Sequence, residues 1–152
     1  MLRMSKLADY GTVVMTTLAL EPLRIHNTAE VAARVGLAPP TVSKILKRLA
    51  HEGLVDSLLG SKGGYRLARS PALISLAAII CAMDGPIGMT ECSTTPGMCS
   101  QEGGCNVRAN WKKINRLVLG VLEGVTLEQM TQPISRTVGA DTIKRGAARA
   151  LA

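Results

Sequence analysis

N-T-A-E-V-A-A-R-V-G-L-A-P-P-T-V-S-K-I-L-K-R-L-A-H-E-G-L-V-D-S-L-L-G-S-K-G-G-Y-R-L-A-R, running from Asn27 to Arg69, is the stretch that decides the fold. Asn27 is placed to cap a helix, with Glu30 three residues on in a capping-box arrangement. The helix Thr28–Val35 should stop at Gly36, which takes a left-handed conformation at little cost. Pro39 and Pro40 then open a second helix, where their missing N–H groups are tolerated. Its apolar residues Val42, Ile45, Leu46 and Leu49 fall on one face, and Thr41, Ser43, Lys44, Lys47 and Arg48 on the other. A short helix, a glycine turn and a helix with a polar, basic outer face form the helix-turn-helix pattern. Two strand-like runs follow, Leu54–Leu58 and Tyr65–Ala68, around L-G-S-K-G-G at 59–64. Glycines at such a bend supply positive φ for a hairpin, which Lys62, Arg66 and Arg69 make basic. A basic hairpin directly after a recognition helix is the wing of a winged helix. The second helix would enter the major groove by its N-terminal residues, which makes Thr41, Ser43 and Lys44 the candidate base readers. Lys47 and Arg48 would lie nearer the phosphates, with Lys62 and Arg66 on the wing.

Working outward, residues 6–20 read as a helix capped by Ser5, with Asp9 in its first turns, where the helix dipole favours an acid. Downstream, Ser70-Pro71 opens an apolar helix over Ala72–Met83 that carries Cys81, read as a buried small hydrophobe. Beyond Asp84-Gly85-Pro86 lies C-S-T-T-P-G-M-C-S-Q-E-G-G-C, from Cys92 to Cys105, with spacing C-x6-C-x5-C. Pro96, Gly97, Gly103 and Gly104 let this backbone fold back, so a loop that aims three sulfurs at one point is expected rather than a helix or strand. Thiolates are ligands of zinc and of iron–sulfur clusters, and three is one short of the usual four. From about Asn106 to Glu123 the pattern is helical, with Val107, Trp111, Ile114, Leu117, Val118, Val121 and Leu122 forming an apolar stripe. That helix is long for so small a protein, and little chain remains to cover it. Pairing with its copy in a homodimer follows. Thr126 and Glu128 begin a short further turn, and from Ser135 a mobile basic tail is expected.

Composition agrees with a helical DNA-binding protein. Phe is absent and aromatic residues are 2%, within a 47% hydrophobic chain of 152 residues, so the core must be aliphatic. The net charge of +7 is concentrated: residues 34–69 hold seven Lys/Arg against two acids, and 136–152 hold four against one. A basic block in one segment is the footprint of a nucleic-acid face. The apolar run Leu73–Met83 is too short to span a bilayer and no leader pattern opens the chain, so a cytoplasmic protein with reduced thiols and no membrane partner is expected. No acid–base constellation or phosphate-binding loop is visible, and an enzyme is not expected. The division expected is a winged helix-turn-helix domain at 1–83, a cysteine-rich loop at 84–105, a dimerisation helix with a short following helix at 106–131, and a basic tail at 132–152.

With these residues in view, the chain resembles the Rrf-type family of winged-helix transcription regulators, which includes IscR and NsrR. The resemblance rests on L-A-D-Y-G at 7–11, A-E-V-A at 29–32, V-S-K-I-L-K-R-L at 42–49, E-G-L-V at 52–55, G-S-K-G-G-Y-R-L-A at 60–68 and the three spaced cysteines. It covers residues 1 to about 131, and the opening M-L-R-M-S-K-L-A-D-Y-G is similar to regulators of the SUF iron–sulfur assembly operon. The resemblance implies a homodimer with crossed long helices and a [2Fe-2S] or [4Fe-4S] cluster near their N-termini, held by Cys92, Cys99 and Cys105. In IscR-like members the fourth ligand is a His three residues past the last Cys, where this chain has Arg108, which cannot ligate. In NsrR-like members it is an Asp in the partner's first helix, which Asp9 matches. His26 and His51 lie in the helix-turn-helix portion and are poorly placed. The function implied is a cluster-sensing DNA-binding repressor of iron–sulfur assembly genes. The alternatives are a zinc-stabilised or nitric-oxide-sensing regulator of the same fold, and a cluster carrier.

Overall fold

The computed structural model describes residues 4–133. The tail expected from Ser135 lies outside the described residues. Helix α1 (Lys6–Ala19) is capped by Ser5, whose hydroxyl accepts from the Ala8 amide and donates to Asp84 Oδ1 at 2.6 Å. Its inner face, with Ala8, Val14, Met15 and Leu18, is fully buried. Gly11 lets α1 lie close against Met83 of α4 (Leu76–Asp84): a Cβ there would stand 2.7 Å from Met83 Cγ. Two helix ends and a glycine contact thus fix α1 on α4.

Helix α2 (Thr28–Val35) begins where Asn27 accepts from the Glu30 amide at 2.8 Å. The Glu30 carboxylate does not complete the expected capping box. It pairs instead with Arg24 at 2.7 Å, where Arg24 and Arg34 also flank Glu21. The hydrogen bond from Arg34, joined by that from Arg24, holds the exposed Glu21 carboxylate below its usual pKa. Gly36 sits at φ 67 and turns the chain into α3 (Pro39–His51). Val42, Ile45, Leu46 and Leu49 of α3 are fully buried, as their helical spacing predicted.

The wing is the antiparallel pair β1 (Val55–Leu58) and β2 (Gly64–Leu67), with Val55 opposite Leu67 and Leu58 opposite Gly64. A single backbone bridge, absent from the sequence reading, is added at β2. His26 and Tyr65 exchange backbone hydrogen bonds of 2.8 Å each way. Gly64 is required there, because a Cβ would stand 2.4 Å from the His26 carbonyl oxygen. His26 itself is fully buried. It plugs the body beneath the wing.

Beyond the wing, the expected helix over Ala72–Met83 is shorter than its apolar run. Pro71–Leu73 form a single 3-10 turn, Ile74 is extended, and Ser75 caps α4 through the Ala78 amide. The reason is a pairing with distant chain: Leu76 N–H donates to Val125 at 2.8 Å and Leu127 N–H to Ile74 at 2.8 Å. The cysteine segment also contains a helical turn, α5 (Glu91–Thr94), where only loop was expected. Helix α6 (Arg108–Gly124) follows, and α7 (Leu127–Met130) begins at a full capping box of Thr126 and Gln129. No helix among the described residues is long and apolar enough to cross a membrane. The architecture is mainly α with one hairpin wing.

Candidate nucleic-acid interface and cysteine loop

The outer face of α3 carries the predicted readers. Thr41 and Ser43 are half-buried, while Lys44 and Lys47 are exposed and make no ion pair with any described residue. Arg48 is differently engaged: its Nε donates to the Ala82 carbonyl of α4 at 2.8 Å. It straps α3 to α4 and has only its Nη groups left for a phosphate. On the wing, Lys62 projects from the turn and is exposed. Arg66 faces Asp56 across the hairpin, with Nε 3.3 Å from Oδ2, so part of its charge is already answered. Arg69 donates to the Gly53 carbonyl at 3.4 Å and braces the hairpin's base.

The cysteine loop lies between the Asp84 end of α4 and the start of α6. Cys92, on α5, is buried, and its Sγ lies 3.3 Å from the Thr90 hydroxyl. Cys99 and Cys105 are half-buried, and all four cysteines are free thiols. Cys81, expected to be buried, is half-buried in α4. Two features that sequence reasoning did not single out hold this region together. Asn115 is buried in α6, accepts from the Met89 amide at 3.0 Å and donates to the Ile87 carbonyl at 3.3 Å. Its signal was a polar residue on the apolar stripe, four residues past Trp111 and three before Val118. The second is a salt bridge between Glu102 and Arg108, in which the same Glu102 carboxylate also accepts the Gly97 N–H.

Whether these residues suit a metal group is decided by donor chemistry and by arrangement. Three unpaired thiols on one loop are donors of the right kind. Within one chain, however, no three His, Cys, Asp or Glu among the described residues stand together as a ready metal cage. The donors fit; the single chain does not assemble them. Asp9 is exposed on α1, turned away from the core, and its carboxylate meets no hydrogen-bond or ion-pair partner among the described residues. His26 is enclosed in the core with Nε2 3.3 Å from the Glu21 carbonyl, and His51 lies beside Glu52 at 3.1 Å. Neither His is near the loop in sequence, and both have local roles.

Helix α6 is only partly covered. Its fully buried residues are Asn115 and Gly120, while Trp111, Leu117, Val118, Val121 and Leu122 are half-buried and Ile114 is 40% exposed. An open groove lined by Met4, Ile80, Ile87, Val118 and Leu122 continues that apolar face.

Comparison with known proteins agrees with this geometry. The sequence model of the family Rrf2, described as "Iron-dependent Transcriptional regulator", matches residues 4–133. The HTH-type transcriptional regulator IscR of Photorhabdus laumondii is 27% identical over 133 residues, covering 85% of this chain and 79% of its own length. Among solved structures, CymR, the global cysteine regulator of B. subtilis, is 28% identical with a TM-score of 0.68, covering 86% of this chain and 97% of its own. IscR of T. potens is 28% identical with a TM-score of 0.65, covering 85% of each chain.

Proposed function

The chain belongs to the Rrf2 family of transcriptional regulators, and from that premise we propose that it is a homodimeric DNA switch controlled by an iron–sulfur cluster, repressing iron–sulfur assembly genes of the SUF type. The observation that carries the proposal is the set of three free cysteines on one loop, set between the winged helix-turn-helix and the long helix α6. Cys92, Cys99 and Cys105 are the thiolate ligands, and Asp9 from the second copy's α1 is the fourth. Two features support that choice. Asp9 is exposed without a partner among the described residues, and Arg108 takes the place from which IscR-like members supply a His. When bound, the cluster supplies iron that responds to oxidants, nitric oxide or iron supply. The SUF assignment rests on the opening M-L-R-M-S-K-L-A-D-Y-G.

The protein's own residues account for the switch. The half-covered stripe of α6 and the groove beside it give a second copy an apolar seat. Asp9 stands on the helix whose inner face holds the reading domain together, so a ligand bond from Asp9 ties one copy's reading head to the other's loop. Releasing that tie frees the spacing of the two α3 helices. The switch then works only through different DNA affinities of the two states.

DNA contact is assigned to Thr41, Ser43, Lys44, Lys47 and the Nη groups of Arg48 on α3, with Lys62 and Arg66 on the wing. The Arg66–Asp56 pair yields a prediction. Asp56→Asn should release Arg66 and tighten DNA binding by about two- to fivefold at low salt, since an exposed pair of this kind is worth up to about 1 kcal/mol. Equal affinity by fluorescence anisotropy would remove Arg66 from the contact set.

The proposed ligand set is tested by anaerobic visible spectra with iron and sulfide analysis of wild type and Asp9→Ala. Wild type should be brown, and Asp9→Ala should lose its colour several-fold faster. Equal stability would move the fourth ligand elsewhere. A colourless protein with stoichiometric zinc would keep the DNA-binding fold and replace the cluster reading with a structural zinc site.

A further inference from the structure

Glu102 stands between Cys99 and Cys105, and its side chain is only 12% exposed. Its carboxylate accepts the N–H of Gly97, before Cys99, and a guanidinium N–H of Arg108, after Cys105. One side chain therefore joins points on both outer flanks of two thiols. Backbone bonds complete the turn: Glu102 N–H donates to the Cys99 carbonyl at 3.1 Å and Arg108 N–H to the Cys105 carbonyl at 3.3 Å.

Arg108 is the first residue of α6, where the helix dipole disfavours a cation. Helix stability does not explain its presence, whereas the pair with Glu102 does. The pair joins a largely buried carboxylate to a guanidinium that is 37% exposed, and a charge-assisted hydrogen bond is stronger than a neutral one. Arg108 also keeps its Nε buried without an acceptor among the described residues. A buried donor left unpaired is costly, and a sulfur of the loaded site would supply the missing acceptor.

We propose that Glu102 and Arg108 form a clasp that sets the approach of Cys99 to Cys105 before any metal binds, and that Arg108 Nε donates a hydrogen bond to sulfur once the site is loaded. The first half concerns the metal-free chain; the second rests on the reading of this loop as a cluster site. Both are positioning residues. The clasp confines the loop, and in the loaded site the arginine would supply a positive charge and a donor. A cation there favours the more negative, reduced form of the site.

Two measurements on the full chain decide it. In reduced, chelator-treated protein, hydrogen exchange of the 97–105 amides should be about tenfold faster in Glu102→Ala than in wild type, because a hydrogen-bonded ion pair is lost. Exchange across α1 and α4 should stay unchanged. Wild-type exchange in Glu102→Ala would overturn the clasp. In protein reconstituted anaerobically with iron and sulfide, Arg108→Gln should retain visible absorption and shift the midpoint potential to more negative values. An unchanged potential would overturn the donor role. A wild type that takes up no iron and sulfide would remove that role together with the cluster reading, while the exchange comparison would still decide the clasp.

Discussion

Cys105→Ala should yield a folded protein that cannot retain a cluster: visible absorption falls to background after anaerobic reconstitution, and bound iron falls below about a tenth of wild type. The expectation follows from the donor count. Three thiols are already one short of four, and a chain with two cannot close the site even with Asp9 supplied by its copy. Folding should survive, because Cys105 is half-buried on a loop and contributes nothing to the aliphatic core of α1, α3 and α4. Far-UV circular dichroism should match wild type, and DNA binding should no longer respond to loss of iron. A Cys105→Ala protein that holds full iron and sulfide would contradict the ligand assignment.

The second large effect separates two neighbouring lysines. Lys47 and Lys44 are both exposed on α3 and make no ion pair among the described residues, so neither substitution should disturb the core. Lys47 lies farther along the helix, where the proposed interface puts phosphate contact. Lys47→Ala should weaken all DNA sequences alike and lower the slope of log affinity against log salt by about 0.9 per contact, hence by about two in a dimer. Lys44 lies nearer the helix start, where the proposed interface puts base contact. Lys44→Ala should relax preference at one position in each half-site by about 1–3 kcal/mol. Competition titrations against substituted operators over a salt series distinguish the two. An unchanged slope in Lys47→Ala would move the DNA face off this helix surface.

Much of the fold was legible because local chemistry and packing agree. Gly36 at φ 67 and the fully buried Val42, Ile45, Leu46 and Leu49 stand where turn chemistry and helical spacing place them. The errors occur where distant chain intervenes. The apolar run before Met83 offers only Ser75 as a local helix start, and Ile74 and Ser75 stay outside the helix to pair with Val125–Leu127. His26 gives no local sign that its backbone will edge the wing at Tyr65. Glu30 has the spacing of a capping box, but Arg24 and Arg34 offer its carboxylate a better partner than a backbone N–H.

The candidate site was less legible, for a related reason. The cysteine spacing is visible in one dimension, and three of the four free thiols, Cys92, Cys99 and Cys105, fall in one segment. Their assembly is not a property of that loop alone. Neither Asp9 nor the loop completes a cage among the described residues of one chain, and only the proposed dimer would bring the parts together. The pairing of Glu102 with Arg108 escaped notice: Arg108 stands out in the sequence only as a position that cannot ligate, and Glu102 looks like an ordinary surface charge until the loop folds back and joins them.

The central claim is that one protein has two DNA affinities set by its cluster. It is tested most directly by titrating a DNA site, selected from a random pool by the reconstituted protein, with the same anaerobic preparation before and after chelation of its iron. The account predicts a difference of about fivefold or more, the lower end of a working coupling between two sites, and predicts that Cys105→Ala binds like the chelated protein. Equal affinities before and after complete loss of iron would contradict it.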